Sequence, residues 1–172
     1  RFPKSLCDMI LQPATNFITE ALAPETYGNP GTDVASAFVT DVPYKMFERN
    51  EEMWLMIAAS IVLDSAERKE FAEMKGSAAR RTEWLFGRIA VKEAVRRYLK
   101  NFHQARWSYA DVRIWPNESG KPQAIGAWGD NLTSRLDVAI AHTSQFVVAL
   151  AAANARVGVD VESLSRNLSE EF

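Results

Sequence analysis

The apolar positions of this chain change period along its length, and the change divides it into a helical and a strand-forming part. Between Ala79 and Lys100, Leu85, Ile89, Val95 and Leu99 recur at helical spacing. Trp84, Val91 and Tyr98 widen the stripe, and together they predict a long helix with a broad apolar face. Gly87 lies inside it at a cost of about 1 kcal/mol against alanine, and a close packing contact would explain it. Upstream, Asp64-Ser65-Ala66-Glu67 can cap a helix running to about Met74, and Gly76-Ser77 breaks it. The apolar run Met53 to Leu63 suits either a buried strand or a short buried helix, and periodicity does not separate the two. Beyond residue 110 the period falls to two. Asp111 to Trp115 alternates, and Asn117 to Pro122 reads as a turn. Asp137 to His142 and Phe146 to Ala152 are apolar runs joined by Thr143-Ser144-Gln145, which predicts a hairpin. Arg156 to Glu162 alternates throughout and predicts a strand whose three valines face the core. The expectation is an α+β fold, with helices packed on a small, largely antiparallel sheet and a ligand at the open edge of that sheet.

Residues 1–48 carry little pattern. Leu6, Met9, Ile10 and Leu11 could form a short helix ended by Pro13, and Pro24, Gly28, Pro30 and Gly31 mark a loop. This stretch reads as a linker or as the tail of a preceding region, with residues 49–172 forming the patterned unit. The chain does not begin with Met, and Ser169 to Phe172 opens an element without finishing it, so both ends read as cuts in a longer protein.

Composition removes some functions. Net charge is −2 over 172 residues, which speaks against a general nucleic-acid binder. Cys7 is the only cysteine, so no internal disulfide is possible and a reducing, cytoplasmic setting fits. The only histidines are His103 and His142, too few for a cysteine–histidine zinc cluster. No apolar run approaches the roughly 20 residues of a membrane helix, and the start lacks a signal-peptide pattern.

Four places carry candidate chemistry. In Val157-Gly158-Val159-Asp160-Val161-Glu162 the two carboxylates share one strand face, where they could hold a hard divalent cation such as Mg²⁺. The alternative is an edge strand with a solvated acidic face. His142 ends an apolar strand beside Thr143 and could bond a phosphate, or be an ordinary hairpin histidine. Gly120-Lys121-Pro122 is a rigid turn presenting a lysine, which could bind phosphate as a point charge or simply be solvated. Arg80, Arg81 and Arg88 fall near the N-terminal end of the long helix, where the N-terminus already favours anions, or they form a charged helix cap on the surface.

Their order and spacing are more specific than any one of them. The helix Arg80-Arg81-Thr82-Glu83-Trp84-Leu85-Phe86-Gly87-Arg88-Ile89-Ala90-Val91-Lys92-Glu93-Ala94-Val95-Arg96 is followed by Gly120-Lys121-Pro122, Ala141-His142-Thr143 and Gly158-Val159-Asp160-Val161-Glu162. This resembles the N-terminal half of surfactin-type 4′-phosphopantetheinyl transferases, most of all those fused to polyketide or polyunsaturated fatty-acid synthases. The resemblance covers roughly Glu52 to Phe172.

The resemblance implies transfer of 4′-phosphopantetheine from coenzyme A to a serine of an apo acyl or peptidyl carrier protein, releasing 3′,5′-ADP. It implies that Asp160 and Glu162 bind Mg²⁺. It also implies that Lys121, with Pro122, and His142, with Thr143, contact coenzyme A, and that Arg81, with Arg80 and Arg88, adds positive charge there. No nucleic acid and no membrane is expected as a partner. Two departures matter. The family's Ser-His-Ser is Ala141-His142-Thr143 here. Its second half, with a Trp-x-x-Lys-Glu-Ala segment supplying a third metal carboxylate, would lie beyond Phe172 in the same chain. Lys92-Glu93-Ala94 looks like that segment but precedes the acidic strand and has Ile89 in place of Trp, so Glu93 is not read as a ligand. A lone half is expected to have little activity. A non-catalytic scaffold domain of a synthase is the competing reading, and a DNA-associated domain using the arginine helix is a weaker one.

Overall fold

The structure, a computed structural model, describes residues 18–19, 34–39, 51–132, 134–143 and 146–162. The apolar run that sequence left open is a helix, α1 (Glu51–Val62), which buries Leu55, Ala58, Ala59 and Val62. Asp64 then starts α2 (Ser65–Glu73). Its carboxylate accepts from the amides of Ala66 and Glu67 while the Glu67 side chain accepts from the Asp64 amide, a reciprocal capping box. Helix α3 (Ala78–His103) begins at Ser77, whose hydroxyl accepts from the Arg80 amide, and ends at Gln104 in a left-handed conformation. It spans roughly 39 Å at about 1.5 Å per residue.

The expected stripe of α3 is present and wider than one face. Leu85, Ile89, Val95 and Leu99 are buried, and so are Phe86, Ala90, Val91, Ala94 and Tyr98. The helix is wrapped on several sides because α1 packs on it while β2, β5 and β6 lie across it. Each fully buried large aliphatic or aromatic side chain contributes on the order of 1.5–3 kcal/mol, so α3 is the axis of the core.

The main sheet has the order β1 (Ile18–Thr19), β2 (Val34–Val39), β6 (Val147–Ala153), β5 (Leu136–His142), all antiparallel. The predicted hairpin is β5–β6, with Leu136 opposite Ala153 and His142 opposite Val147. β3 (Arg113–Pro116) and β4 (Pro122–Ile125) form a separate two-stranded sheet, and β4 lies beside β5. The turn between β3 and β4 is organised by Asn117, whose side-chain oxygen accepts from the amides of Ser119 and Lys121. Gly120 sits there at φ +81°, which favours glycine. A short 3₁₀ turn at Ala127–Asn131 precedes β5. Gly126 opens that turn, and a Cβ there would collide with the Trp128 indole nitrogen and the Asp111 carbonyl.

Three expectations change. The segment 156–162 is extended but is not a strand. Its side chains still alternate, with Val157, Val159 and Val161 half-buried and Asp160 and Glu162 exposed. Its amides reach only side chains among the described residues: Val157 bonds Asp137, and Val161 bonds its own neighbour Asp160. Alternation sets which way side chains point, but a strand also needs a neighbouring backbone to bond. Second, Gly87 makes no contact that excludes a methyl group. A Cβ there would lie 4.0 Å from Ile140 Cγ2, an ordinary van der Waals distance. Third, residues 34–39, inside the stretch read as linker, supply β2 of the sheet. The expected helix at 6–11, the loop at 24–31 and the segment at 169–172 lie outside the described residues.

Candidate functional site

Of the residues that sequence singles out, Lys121 and Pro122 share a cleft, and the others lie elsewhere on the fold. Lys121 closes the β3–β4 turn, and its ammonium donates to Asp137 Oδ2 at 2.6 Å. The same oxygen accepts from the Val157 amide at 2.7 Å. Lys121, Pro122, Asp137 and Arg156 thus line one cleft of about 210 Å³, together with Arg135. The Gly-Lys-Pro turn and the start of the acidic segment are therefore brought together.

His142 is exposed at the far end of β5, with Thr143 just beyond it. The Thr143 hydroxyl accepts from the Phe146 amide at 3.1 Å, and the Thr143 amide donates to the Phe146 carbonyl at 2.8 Å, which closes the hairpin end. Asp137 and His142 are five residues apart on one strand, roughly 17 Å at about 3.4 Å per residue. Lys121 and His142 thus attach near opposite ends of β5.

The arginines divide. Arg80 is exposed at the start of α3. Arg81 lies 4.7 Å from the centre of the Phe71 ring on α2. Arg88 stacks over Trp84 at 4.4 Å and stands 3.8 Å from Glu67 and 3.9 Å from Glu70, both on α2. Burial pushes the Arg88 guanidinium below its usual value, and Glu67 and Glu70 oppose that. Arg88 thus stands between α2 and α3 with its Nε buried and without a hydrogen-bond partner among the described residues, and it does not line the Lys121 cleft.

Lys92 and Glu93 have their own roles. Lys92 is fully buried and spends all three N–H donors, on Glu67 Oε2 at 2.5 Å, the Val62 carbonyl at 2.8 Å and the Tyr109 carbonyl at 3.1 Å. Glu67 also accepts from the Ile114 amide at 3.0 Å. Glu93 pairs with Arg96 at 2.5 Å and Arg97 at 3.2 Å. It lines a second, wider cleft of about 570 Å³ with Arg96, Arg97, Lys100, Arg106 and Trp107. Glu93 is placed in a different cleft from Lys121.

Asp160 and Glu162 point to solvent on one side of the extended segment, and among the described residues neither is ion-paired. No group of three or more histidine, cysteine, aspartate or glutamate side chains that could hold a metal occurs among the described residues. Two unpaired carboxylates fit a hard cation that takes its remaining ligands from water and phosphate. Sequence reasoning missed Asp137, Arg135 and Arg156, because only the fold brings them to Lys121. Arg96, Arg97 and Lys100 lie near the C-terminal end of α3, and sequence alone does not tie them to a cleft.

No family model matches the chain. A curated relative, the holo-[acyl-carrier-protein] synthase of Halalkalibacterium halodurans, is 30% identical over 88 residues, which cover 51% of this chain and 69% of the relative. Among solved structures, the holo-(acyl-carrier-protein) synthase of Bacillus anthracis in complex with CoA (3′,5′-ADP) superposes with a TM-score of 0.53 at 24% identity, over 70% of this chain and 94% of that one. The synthase of Neisseria meningitidis gives 0.56 at 18% identity, over 72% and 98%. That of Plasmodium yoelii gives 0.54 at 20% identity, over 72% and 96%. These structures share its α+β fold, and the sequence relation shows that the chain belongs to the holo-[acyl-carrier-protein] synthase family, an enzyme type of the phosphopantetheinyl transferases.

Proposed function

We propose that this unit takes part in transferring 4′-phosphopantetheine from coenzyme A to a serine of an apo acyl or peptidyl carrier protein. In the reaction the serine oxygen bonds to the β-phosphorus of coenzyme A and its proton passes to a base. The bond between that phosphorus and the bridging oxygen breaks, and 3′,5′-ADP leaves. The observation that carries the reading is the family relation, which covers 51% of this chain and 69% of the relative. Attack at phosphorus builds charge on non-bridging oxygens, which cations at fixed positions stabilise. Lys121 is such a cation, tethered by Asp137. Asp160 and Glu162 are the residues that would hold Mg²⁺, which when bound neutralises pyrophosphate charge.

Asp137, which holds Lys121, and His142 lie roughly 17 Å apart along β5 and, at an odd spacing, on opposite faces, so a ligand reaching both would have to wrap the β5 edge of the sheet. Lys121 would meet one phosphate-bearing part of coenzyme A, and His142, with Thr143, another. Arg80, which is exposed, is the arginine best placed to add charge from the start of α3.

The unit is read as one half of a surfactin-type transferase, of the kind fused to polyketide or fatty-acid synthases. The unit matches 94% and 98% of the length of two holo-acyl-carrier-protein synthase chains. The second half, in cis, would supply a third carboxylate. Alone, the chain is expected to show little transfer. Its single cysteine supports a reducing, cytoplasmic setting, and among the described residues no helix is long and apolar enough to cross a membrane.

Mass spectrometry of an apo carrier protein incubated with coenzyme A, Mg²⁺ and the chain extended past Phe172 tests the reading. Addition of a phosphopantetheine mass, lost in Asp160→Ala, is the expected result. No addition by any folded, extended chain would sink it and favour the scaffold reading, for which the employment of Arg88 in packing is the supporting observation.

A further inference from the structure

The cleft beside Lys121 holds three cationic side chains, Lys121, Arg135 and Arg156, against one carboxylate, Asp137. Two of the three cations are engaged. Lys121 is paired with Asp137, and Arg135 donates to the Gln123 side chain. Arg156 is exposed and makes no hydrogen bond or ion pair among the described residues. It is held in place from behind, because the next residue, Val157, is pinned by its amide to the oxygen of Asp137 that also holds Lys121. One half-buried carboxylate oxygen therefore sets the lysine of the turn, the free guanidinium and the first residue of the acidic segment relative to one another. At about 210 Å³ the cleft is below the roughly 300–1,000 Å³ of sites that enclose a whole ligand, so it suits one group of a larger molecule. A guanidinium with open donors beside an ammonium matches a phosphate, which arginine can bind through two parallel bonds.

We propose that Arg156 is a further ligand for a phosphate group of coenzyme A, and that Asp137 is the positioning residue that ties it and Lys121 to the acidic segment. This rests on the coenzyme A reading above. Without Asp137 the segment 156–162 loses the one bond that joins its backbone to the sheet among the described residues.

The test combines calorimetric titration with amide hydrogen exchange. Coenzyme A, and pantetheine as a probe without phosphate, are titrated into the unsubstituted chain, Arg156→Ala, Arg156→Lys and Asp137→Ala. Exchange at the Val157 amide is followed in the ligand-free proteins. Arg156→Ala is expected to weaken coenzyme A binding about tenfold, the size of one lost charge-assisted hydrogen bond. Lysine should restore part of it, and pantetheine should be unaffected. Asp137→Ala is expected to weaken coenzyme A similarly and to speed Val157 exchange at least about tenfold. Unchanged coenzyme A affinity in Arg156→Ala overturns the ligand role. Val157 protection that survives in Asp137→Ala overturns the positioning role. If the unsubstituted chain binds no coenzyme A, the role of Arg156 falls, transfer by the extended chain still decides the functional reading, and the exchange result alone decides the role of Asp137.

Discussion

Two carboxylate–ammonium pairs in this molecule have nearly the same length and opposite surroundings. Glu67 and Lys92 meet at 2.5 Å with both side chains fully buried. Asp137 and Lys121 meet at 2.6 Å with 25% and 37% of their side chains exposed. In the first pair every donor of the ammonium is used, and the pair joins the end of α1, α2, α3 and β3. In the second, donors of Lys121 remain open toward a cleft. A sealed pair holds the fold together and leaves nothing for a ligand. An exposed pair adds little to stability, because water and counter-ions can replace either partner. Contact geometry alone would rank the two equally, and burial separates structure from site.

The comparison can be broken most strongly at Lys92. Lys92→Ala leaves Glu67 buried without its partner and should destabilise the chain by about 3–5 kcal/mol in urea unfolding. Replacing both Glu67 and Lys92 by methionine should cost much less than either single change. A loss below about 1 kcal/mol for Lys92→Ala would show that water reaches the pair and would erase the contrast.

Asp64 stands between the two cases. Burial raises its pKa, but the Glu67 amide, the Arg113 guanidinium and the Ala66 amide outweigh that and hold it below the ordinary value of 3.8. A depressed carboxylate stabilises the fold above its unfolded value and loses that contribution as pH falls through the folded one. Asp64→Ala should therefore cost about 0.5–2 kcal/mol at neutral pH through loss of the cap. The difference from the unsubstituted chain should shrink as pH falls below about 3.8. A pH-independent difference would mean that the carboxylate charge is not involved.

Gly87→Ala should stabilise α3 by about 0.5–1 kcal/mol, since the added methyl group meets Ile140 at an ordinary distance. Destabilisation would point to a packing constraint near Gly87 beyond that Ile140 contact.

The smallest stability effect belongs to the exposed pair. Lys121→Ala should change unfolding by less than about 1 kcal/mol, while coenzyme A binding falls about tenfold. A large stability loss would place Lys121 with Lys92, as a structural residue.

What sequence could show follows the range of the interactions. Helix α3 was readable because its period and its start at Ser77 are local, and the β5–β6 hairpin because its two runs are adjacent. The carboxylates of Asp160 and Glu162 were readable as a pair on one side, but the strand was not, because bonding needs a partner that alternation does not name. Sequence shows Arg88 as a charge near the helix start but not its partners Glu67 and Glu70, which lie on another helix. Asp137 carried no signal, since its importance comes from two bonds, to Lys121 and Val157, that only the folded sheet creates.

The central claim is a Mg²⁺-dependent coenzyme A site that includes Asp160. Calorimetric titration of coenzyme A into the chain extended past Phe172, with and without Mg²⁺ and beside Asp160→Ala, tests it most directly. The account predicts binding that needs Mg²⁺ and is lost in the variant, with unfolding unchanged to within about 0.5 kcal/mol because Asp160 is exposed. Binding that is equal with and without Mg²⁺, or retained in Asp160→Ala, would contradict it.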